Sequence, residues 1–297
     1  MATIGSVDTV GQTGRPVGID RESAGRYVLG RRTPEGGFSF YRTPSWGIEE
    51  PNAPDTLAAL ESLRLLALEA PAPRETVGWL RSLQEGDGSF ATLTIGWAVL
   101  RALDVLGAAP RRPAERWLGE TIGRVARPDV DRSWRGALTD ALRLAELGAR
   151  TGTAVPAVGA FAARLLDDAA DPAGGWARPG ADLETVAVAA HLARLAGLDR
   201  GEQETAARYA RACEDPGFGF RLSVSAAATS VGALRGGLAL LRAAGLDGRH
   251  LDAAGRQLVM LQGLDGGFAA RHRGLSNLQD TWRGLDAARL LDELQEA

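Results

Sequence analysis

Gly36-Gly37-Phe38, followed by Asn52-Ala53-Pro54-Asp55-Thr56-Leu57-Ala58-Ala59-Leu60, sets the pattern for the whole chain. A glycine-rich turn bearing one aromatic separates two helix-like stretches, and the second stretch opens on Thr. The arrangement recurs as Gly88-Ser89-Phe90, Gly174-Gly175-Trp176, Gly217-Phe218-Gly219-Phe220 and Gly266-Gly267-Phe268. A sixth turn, Pro128-Asp129-Val130-Asp131, lacks the aromatic. The following stretches open on Thr56, Thr94, Ser133, Thr185, Thr229 and Thr281. Their mean spacing is roughly 45 residues, the period of a repeat architecture. Six stacked helix pairs can close into a ring, and a closed ring has a central cavity.

Working outward, the first helix of each pair is predicted near 22–31, 74–84, 113–124, 154–169, 202–214 and 250–262. The second is predicted near 54–69, 92–107, 132–148, 182–197, 224–245 and 277–294. Pro73, Pro113 and Pro156 stand where first helices should begin, the position that tolerates proline. Gly107, Gly148, Gly197 and Gly245 stand where second helices should stop. The two classes differ in character. First helices are amphipathic, with Leu80 and Leu83 recurring beside Arg74, Glu75 and Arg81. Second helices are apolar nearly all round, as in Thr185-Val-Ala-Val-Ala-Ala-His-Leu-Ala, and such helices are enclosed by others. The second helices therefore form an inner ring and the first an outer one. No stretch requires a strand.

The chain has 297 residues, 45% of them hydrophobic, enough to bury about three quarters of its unfolded surface. The unbroken repeat favours one domain over residues 21–297, with residues 1–20 as a flexible tail. The net charge of −3 gives no electrostatic case for nucleic acid. All 34 basic residues counted as Lys or Arg are Arg, which excludes Schiff-base chemistry and leaves guanidinium as the main phosphate-binding group. A lone Cys213 excludes an intramolecular disulfide and a cysteine-rich zinc site. No apolar run approaches membrane-spanning length, so a cytoplasmic protein is expected.

The run from Gly36-Gly-Phe to Asn52-Ala-Pro-Asp-Thr56 resembles the repeat of the terpenoid cyclase and protein prenyltransferase superfamily. Gly266-Gly-Phe-Ala-Ala-Arg271 with Gln279-Asp-Thr281 is similar to it as well. The resemblance covers about residues 20–295 and implies an all-α fold, a single (α/α)6 toroid of six helix-pair repeats. The toroid carries several chemistries, so the resemblance fixes fold better than function.

Inner helices sharing one direction would gather their N-termini at one rim, where partial positive charge and unpaired N–H groups attract anions. Asp55, Glu184 and Asp280 each immediately precede an opening Thr. Capping accounts for each of them singly, and three together would still shape what binds. Pro128-Asp129-Val130-Asp131-Arg132-Ser133-Trp134 resembles the Asp-X-Asp-Asp-Thr motif of class II terpene cyclases. The resemblance makes Asp131 the acid that protonates an alkene or epoxide, with Asp129 as its neighbour. Arg132 replaces the third Asp, and a cation there favours the carboxylate over the acid. Family prenyltransferases hold zinc with Asp, Cys and His. The matching stretch 221–229 has neither Asp nor Cys, and Asp280 replaces the His, so no metal is expected. Arg271 matches a family arginine that contacts diphosphate, with His272 beside it and Arg42 after a comparable turn. Tyr41, Trp46, Trp134 and Trp282 are candidates for the aromatic lining that cation cyclisation requires.

Three functions fit this sequence. The first is a terpene-cyclase-like enzyme that cyclises an isoprenoid by protonation in a central hydrophobic cavity. The second is a zinc-independent transferase using a prenyl diphosphate, with Mg2+ only if the diphosphate brings it. The third is a non-catalytic toroid for a hydrophobic ligand or partner. A homodimer or partner subunit is compatible with each.

Overall fold

The computed structural model describes residues 18–40, 50–125, 133–151, 159–160, 163–164, 182–197 and 202–297. Among these residues eleven helices and one short hairpin form. Helices α1 (Arg21–Leu29), α3 (Pro73–Ser82), α5 (Glu115–Val125), α8 (Glu202–Cys213) and α10 (Leu251–Leu261) are first helices. Helices α2 (Ala53–Leu65), α4 (Leu93–Val105), α6 (Trp134–Thr151), α7 (Leu183–Leu195), α9 (Val231–Ala243) and α11 (Leu278–Glu296) are second helices. The stretch 154–169, where a further first helix is expected, lies mostly outside the described residues; 159–160 and 163–164 within it are helical.

The second helices pack in cyclic order: α2 on α4, α4 on α6, α6 on α7, α7 on α9, α9 on α11, and α11 back on α2. First helices lie against them, α1 on α2, α3 on α4, α5 on α6, α8 on α7 and α9, and α10 on α11. Burial follows that arrangement. In α2 every residue from Asp55 to Leu63 is buried, whereas α3 buries only Thr76 and Leu80. Ion pairs also join like ends of neighbouring second helices. Arg135 at the start of α6 pairs with Asp182, the N-cap of α7, at 2.8 Å. Near the other end Arg150 of α6 pairs with Asp104 of α4, and Arg242 of α9 with Glu293 of α11.

The turn motif has a shared physical basis. In the first turn Thr33 N–H donates to Gly37 O and Gly36 N–H to Thr33 O. The second turn repeats this with Glu85, Gly88 and Ser89, and the last with Gly263, Gly266 and Gly267. Gly36, Gly88 and Gly266 have φ of 100°, 91° and 87°, a region that side chains disfavour. The aromatic then enters the core, with Phe38, Phe90, Phe220 and Phe268 all buried. Its backbone N–H donates to the opening threonine, Phe38 to Thr56 Oγ1 at 2.9 Å and Phe268 to Thr281 Oγ1 at 3.0 Å. Each threonine hydroxyl donates in turn to its N-cap carbonyl, Asn52 O or Asn277 O. The Gly-Gly-Phe and the Thr are thus one hydrogen-bonded unit, which explains their joint recurrence.

The structure corrects four expectations. Helix α9 begins at Val231 and not near 224, because Leu222 N–H donates to Ala228 O and closes a loop that Ser230 ends as N-cap. Gly148 does not stop its helix, since α6 continues to Thr151. Gly107, Gly197 and Gly245 do act as stops, with φ of 64°, 68° and 63°. Pro113 lies two residues ahead of α5 and not inside it. Lastly, the fifth turn forms a two-stranded pair, β1 (Glu214–Asp215) and β2 (Gly219–Phe220), where other turns show single bridges at Phe38 and Phe268.

The turn aromatics dictate small residues on the inner helices. A Cβ at Gly237 would strike the ring of Phe220, and one at Gly284 the ring of Phe268. Gly284→Ala is therefore expected to destabilise by about 1–3 kcal/mol through overpacking, against about 1 kcal/mol of helix propensity in its favour. A thermal melt shifted down by several degrees meets this expectation. An unchanged or raised midpoint contradicts it.

Candidate functional site

The second helices read as apolar nearly all round, yet each carries at least one ionisable residue on a single face. Nine residues after the N-caps Asn52, Thr92, Asp182 and Asn277 stand Glu61, Arg101, His191 and Asp286. Their ion-pair partners lie on neighbouring second helices. One network crosses four helices. Arg101 of α4 pairs with Glu61 of α2 at 2.9 Å and with Glu146 of α6 at 2.8 Å. Glu146 also accepts Trp97 Nε1–H at 2.7 Å and faces His191 of α7 at 3.6 Å. Burial alone would raise the Glu146 pKa. The His191 ring, the Arg101 charge and the Trp97 N–H outweigh it and hold the carboxyl below its usual value.

A second network joins α9 and α11. Arg235 pairs with Asp286 at 2.7 Å, and Arg289 holds the other oxygen of Asp286 at 2.7 Å. Arg289 also reaches Glu293. Burial would raise the Asp286 pKa, and its two arginines lower it instead. A third link joins α7 and α11. Arg283 of α11 holds Asp280 at 3.0 Å and Glu184 of α7 at 3.1 Å. Helix α9 lies between α7 and α11 in the cyclic order, and the link passes it at Gly232. A Cβ there would lie 2.5 Å from a Glu184 carboxylate oxygen.

The three acidic candidates are therefore drawn together, though not as free carboxylates. Asp55 accepts Phe40 N–H at 2.9 Å and the Asn52 amide at 2.6 Å, and Gln279 of α11 reaches it at 3.4 Å. Asp280 is the equivalent residue of α11 and accepts the Asn277 amide. Asn52 and Asn277 are the N-caps, accepting the N–H of Asp55 and Asp280 in return, a reciprocal capping arrangement. Glu184 occupies a different register, because Asp182 caps α7 and accepts Thr185 N–H at 2.9 Å. Capping thus explains Asp55 and Asp280, and the pair with Arg283 explains Glu184.

The aromatic candidates are less available than the sequence suggests. Arg235 lies over the ring of Trp282 at 5.3 Å, which occupies that face with a cation. Trp97, on α4, is covered by Arg143 at 5.3 Å and Arg101 at 6.0 Å. Trp134 packs against the main apolar cluster. His272 turns to an outer helix, its Nδ1 lying 3.1 Å from Met260 O. Arg271 is exposed, and Ala270 O beside it accepts Val231 N–H, the first residue of α9. Asp129, Asp131, Arg42, Tyr41 and Trp46 lie outside the described residues.

Among the described residues no group of three or more His, Cys, Asp and Glu side chains is arranged to hold a metal. Cys213 is buried in α8, and burial pushes its thiol up to about 11, leaving it protonated at neutral pH. No helix among the described residues is long and apolar enough to cross a membrane. The polar positions of the inner helices were legible in principle: aligning the N-caps Asn52, Thr92, Asp182 and Asn277 exposes an ionisable residue nine positions on in four of the six helices.

Comparison with protein-family models returns no match, and comparison with curated protein sequences returns none either. The local geometry alone carries the functional argument.

Glu146 holds the larger network together, so Glu146→Gln is expected to cost about 3 kcal/mol at neutral pH by leaving Arg101 underpaired. The folded pKa of Glu146 lies below the ordinary value of a glutamate, so its contribution is complete above that ordinary value and disappears as pH falls through the folded pKa. Urea unfolding at pH 7 and near pH 3 should find wild type and variant far apart at the first and closer at the second. A constant difference between them contradicts this account.

Proposed function

We propose that the chain is a single (α/α)6 toroid that takes a prenyl diphosphate, without zinc, at the end where the inner helices begin. The cyclic packing of the six inner helices supports the architecture, as does the repeated turn-to-threonine bond.

The observation that carries the ligand assignment is the state of the arginines. Arg101, Arg143, Arg235, Arg283 and Arg289 all have carboxylate partners on the enclosed face. The Arg271 guanidinium has no hydrogen-bond or ion-pair partner among the described residues and stands exposed beside the start of α9. The Thr229 hydroxyl, buried and without a partner among the described residues, precedes the same helix. A guanidinium offers two parallel N–H donors to a diphosphate, and the first-turn N–H groups of α9 add to the attraction. In a transferase the same contacts stabilise the charge that develops on the departing diphosphate.

Protonation-initiated cyclisation is less well supported. It needs open aromatic faces, and cations already cover Trp97 and Trp282. Its acid pair, Asp129 and Asp131, awaits direct test.

Pyrophosphate and geranylgeranyl diphosphate, each at millimolar concentration, are expected to raise the melting temperature through binding to the folded state. Arg271→Ala should remove most of that shift. Unchanged scans, or a shift that survives Arg271→Ala, argue against the assignment. Product analysis supplies the contrast with the cyclase reading: loss of a cyclised product on Asp131→Asn, with ligand binding intact, would restore it.

A further inference from the structure

The turn between α10 and α11 carries the most exposed apolar side chains of the described residues. Leu264 is 111% exposed and Leu275 76% exposed, and Met260, at the end of α10, is also out in solvent. These residues form one patch. Ser276 Oγ donates to Asp265 Oδ1 at 2.8 Å, which sets the backbone beside Leu275 against the backbone beside Leu264. His272 lies against the Met260 carbonyl, and Gly274 N–H donates to Arg271 O. Arg271, His272 and Arg273 are all exposed along the same turn. Neither arginine has a carboxylate partner among the described residues, and the one acid in the patch, Asp265, is engaged by Ser276 and Gly267 N–H.

The patch is mounted on a firm base and is not a frayed loop. Gln262 Nε2 donates to Asp20 O at 2.8 Å and to Gly266 O at 2.9 Å, while its Oε1 accepts Asp20 N–H at 2.8 Å. Gly266 lies so close to the Ser23 carbonyl that no side chain fits, and Phe268 anchors the turn in the core. Two leucines held out in water on a rigid platform are costly to leave exposed, and a surface that covers them gains their burial.

We propose that this turn docks the protein on an anionic lipid bilayer, with Leu264 and Leu275 entering the headgroup boundary and Arg271 and Arg273 meeting lipid phosphates. Charge complementarity selects this occupant. Protruding apolar tips flanked by unpaired arginines match an interface that is apolar below and negative above. A second copy of the same patch would bring like charges together. The docking is independent of the prenyl-diphosphate reading, although both use Arg271, so the test relies on residues that the reading does not need.

Sedimentation with vesicles of phosphatidylcholine alone, and of phosphatidylcholine with about 30% phosphatidylglycerol, tests the proposal at ~0.1 M and ~1 M salt. Wild type is expected to pellet with the anionic vesicles at low salt, and much less at high salt or with phosphatidylcholine alone. Leu264→Ser combined with Leu275→Ser should lower the partition coefficient at least about ten-fold, and Arg273→Gln several-fold. Both variants alter exposed positions and should keep the wild-type melting temperature and the pyrophosphate shift. Absence of binding to anionic vesicles overturns the proposal, as does binding that the leucine variant leaves unchanged. Concentration-dependent self-association lost in the leucine variant, without vesicle binding, assigns the patch to a contact between copies instead.

Discussion

Closure is the constraint on which the arrangement rests. An open array of helix pairs leaves an apolar face uncovered at each end, and such arrays need capping repeats. Here the last inner helix meets the first. Leu278 of α11 is buried with Tyr27, Val28, Phe38, Ala58, Ala59 and Leu63, all from the first repeat. Asp20 and Gln262 exchange backbone and side-chain hydrogen bonds across 242 positions of sequence. Gly267 supplies the clearance for Tyr27, whose ring would strike a Cβ at that position. Loop-closure entropy rises only about 0.6 kcal/mol per doubling of length, so joining such distant segments is not prohibitive once both surfaces exist.

The same closure explains how much was legible in the sequence. The first and last turns each reverse the chain, bury one aromatic and hand its N–H to the opening threonine of the next helix. Glycine with positive φ, Phe and Thr therefore recur, and the period can be read from them alone. Features set by neighbours across the ring could not be read in that way. Thr229 has the look of an opening threonine, yet the 222–228 loop and the Ser230 cap displace the helix start. Gly148 has the look of a stop, but a helix ends only where its carbonyls find other partners, and α6 runs on. Asp55 and Asp280 were visible as a matched pair. That they serve mainly as caps follows from the Asn three residues earlier in each case, a signal present in the chain.

The charged face of the inner helices was the largest omission, and its cause is physical. Hydrophobic periodicity reports the side of a helix that meets its neighbours, and here neighbours surround each inner helix on three sides. One ionisable residue every few turns hardly disturbs that signal. Placed in a ring, these residues find each other: Glu61, Arg101, Glu146 and His191 along one arc, Arg235, Asp286 and Arg289 along another. Buried pairs of this kind contribute less to net stability than to specifying which helices are neighbours, because desolvation offsets much of the attraction. Shared partners such as Glu146 tie three helices at once, which an apolar contact would do less selectively.

This pairing also bears on where a ligand can gain most. Six helix N-termini near one end of a ring would make a strongly positive rim, but the protein supplies much of the compensating charge itself. Asp55 and Asp280 lie in the first turns of α2 and α11, and Asp182 and Glu184 at the start of α7. Arg283 is in turn neutralised by two of these carboxylates. A ligand entering the enclosed face must displace pairs that already satisfy each other, and it recovers only the difference. At the turn before α11 no such exchange is required, because the Arg271 guanidinium has no ion-pair partner among the described residues. An anionic group therefore gains more at the edge of the ring than inside it, and a diphosphate head held there leaves an isoprenoid tail to seek the apolar surface beside it.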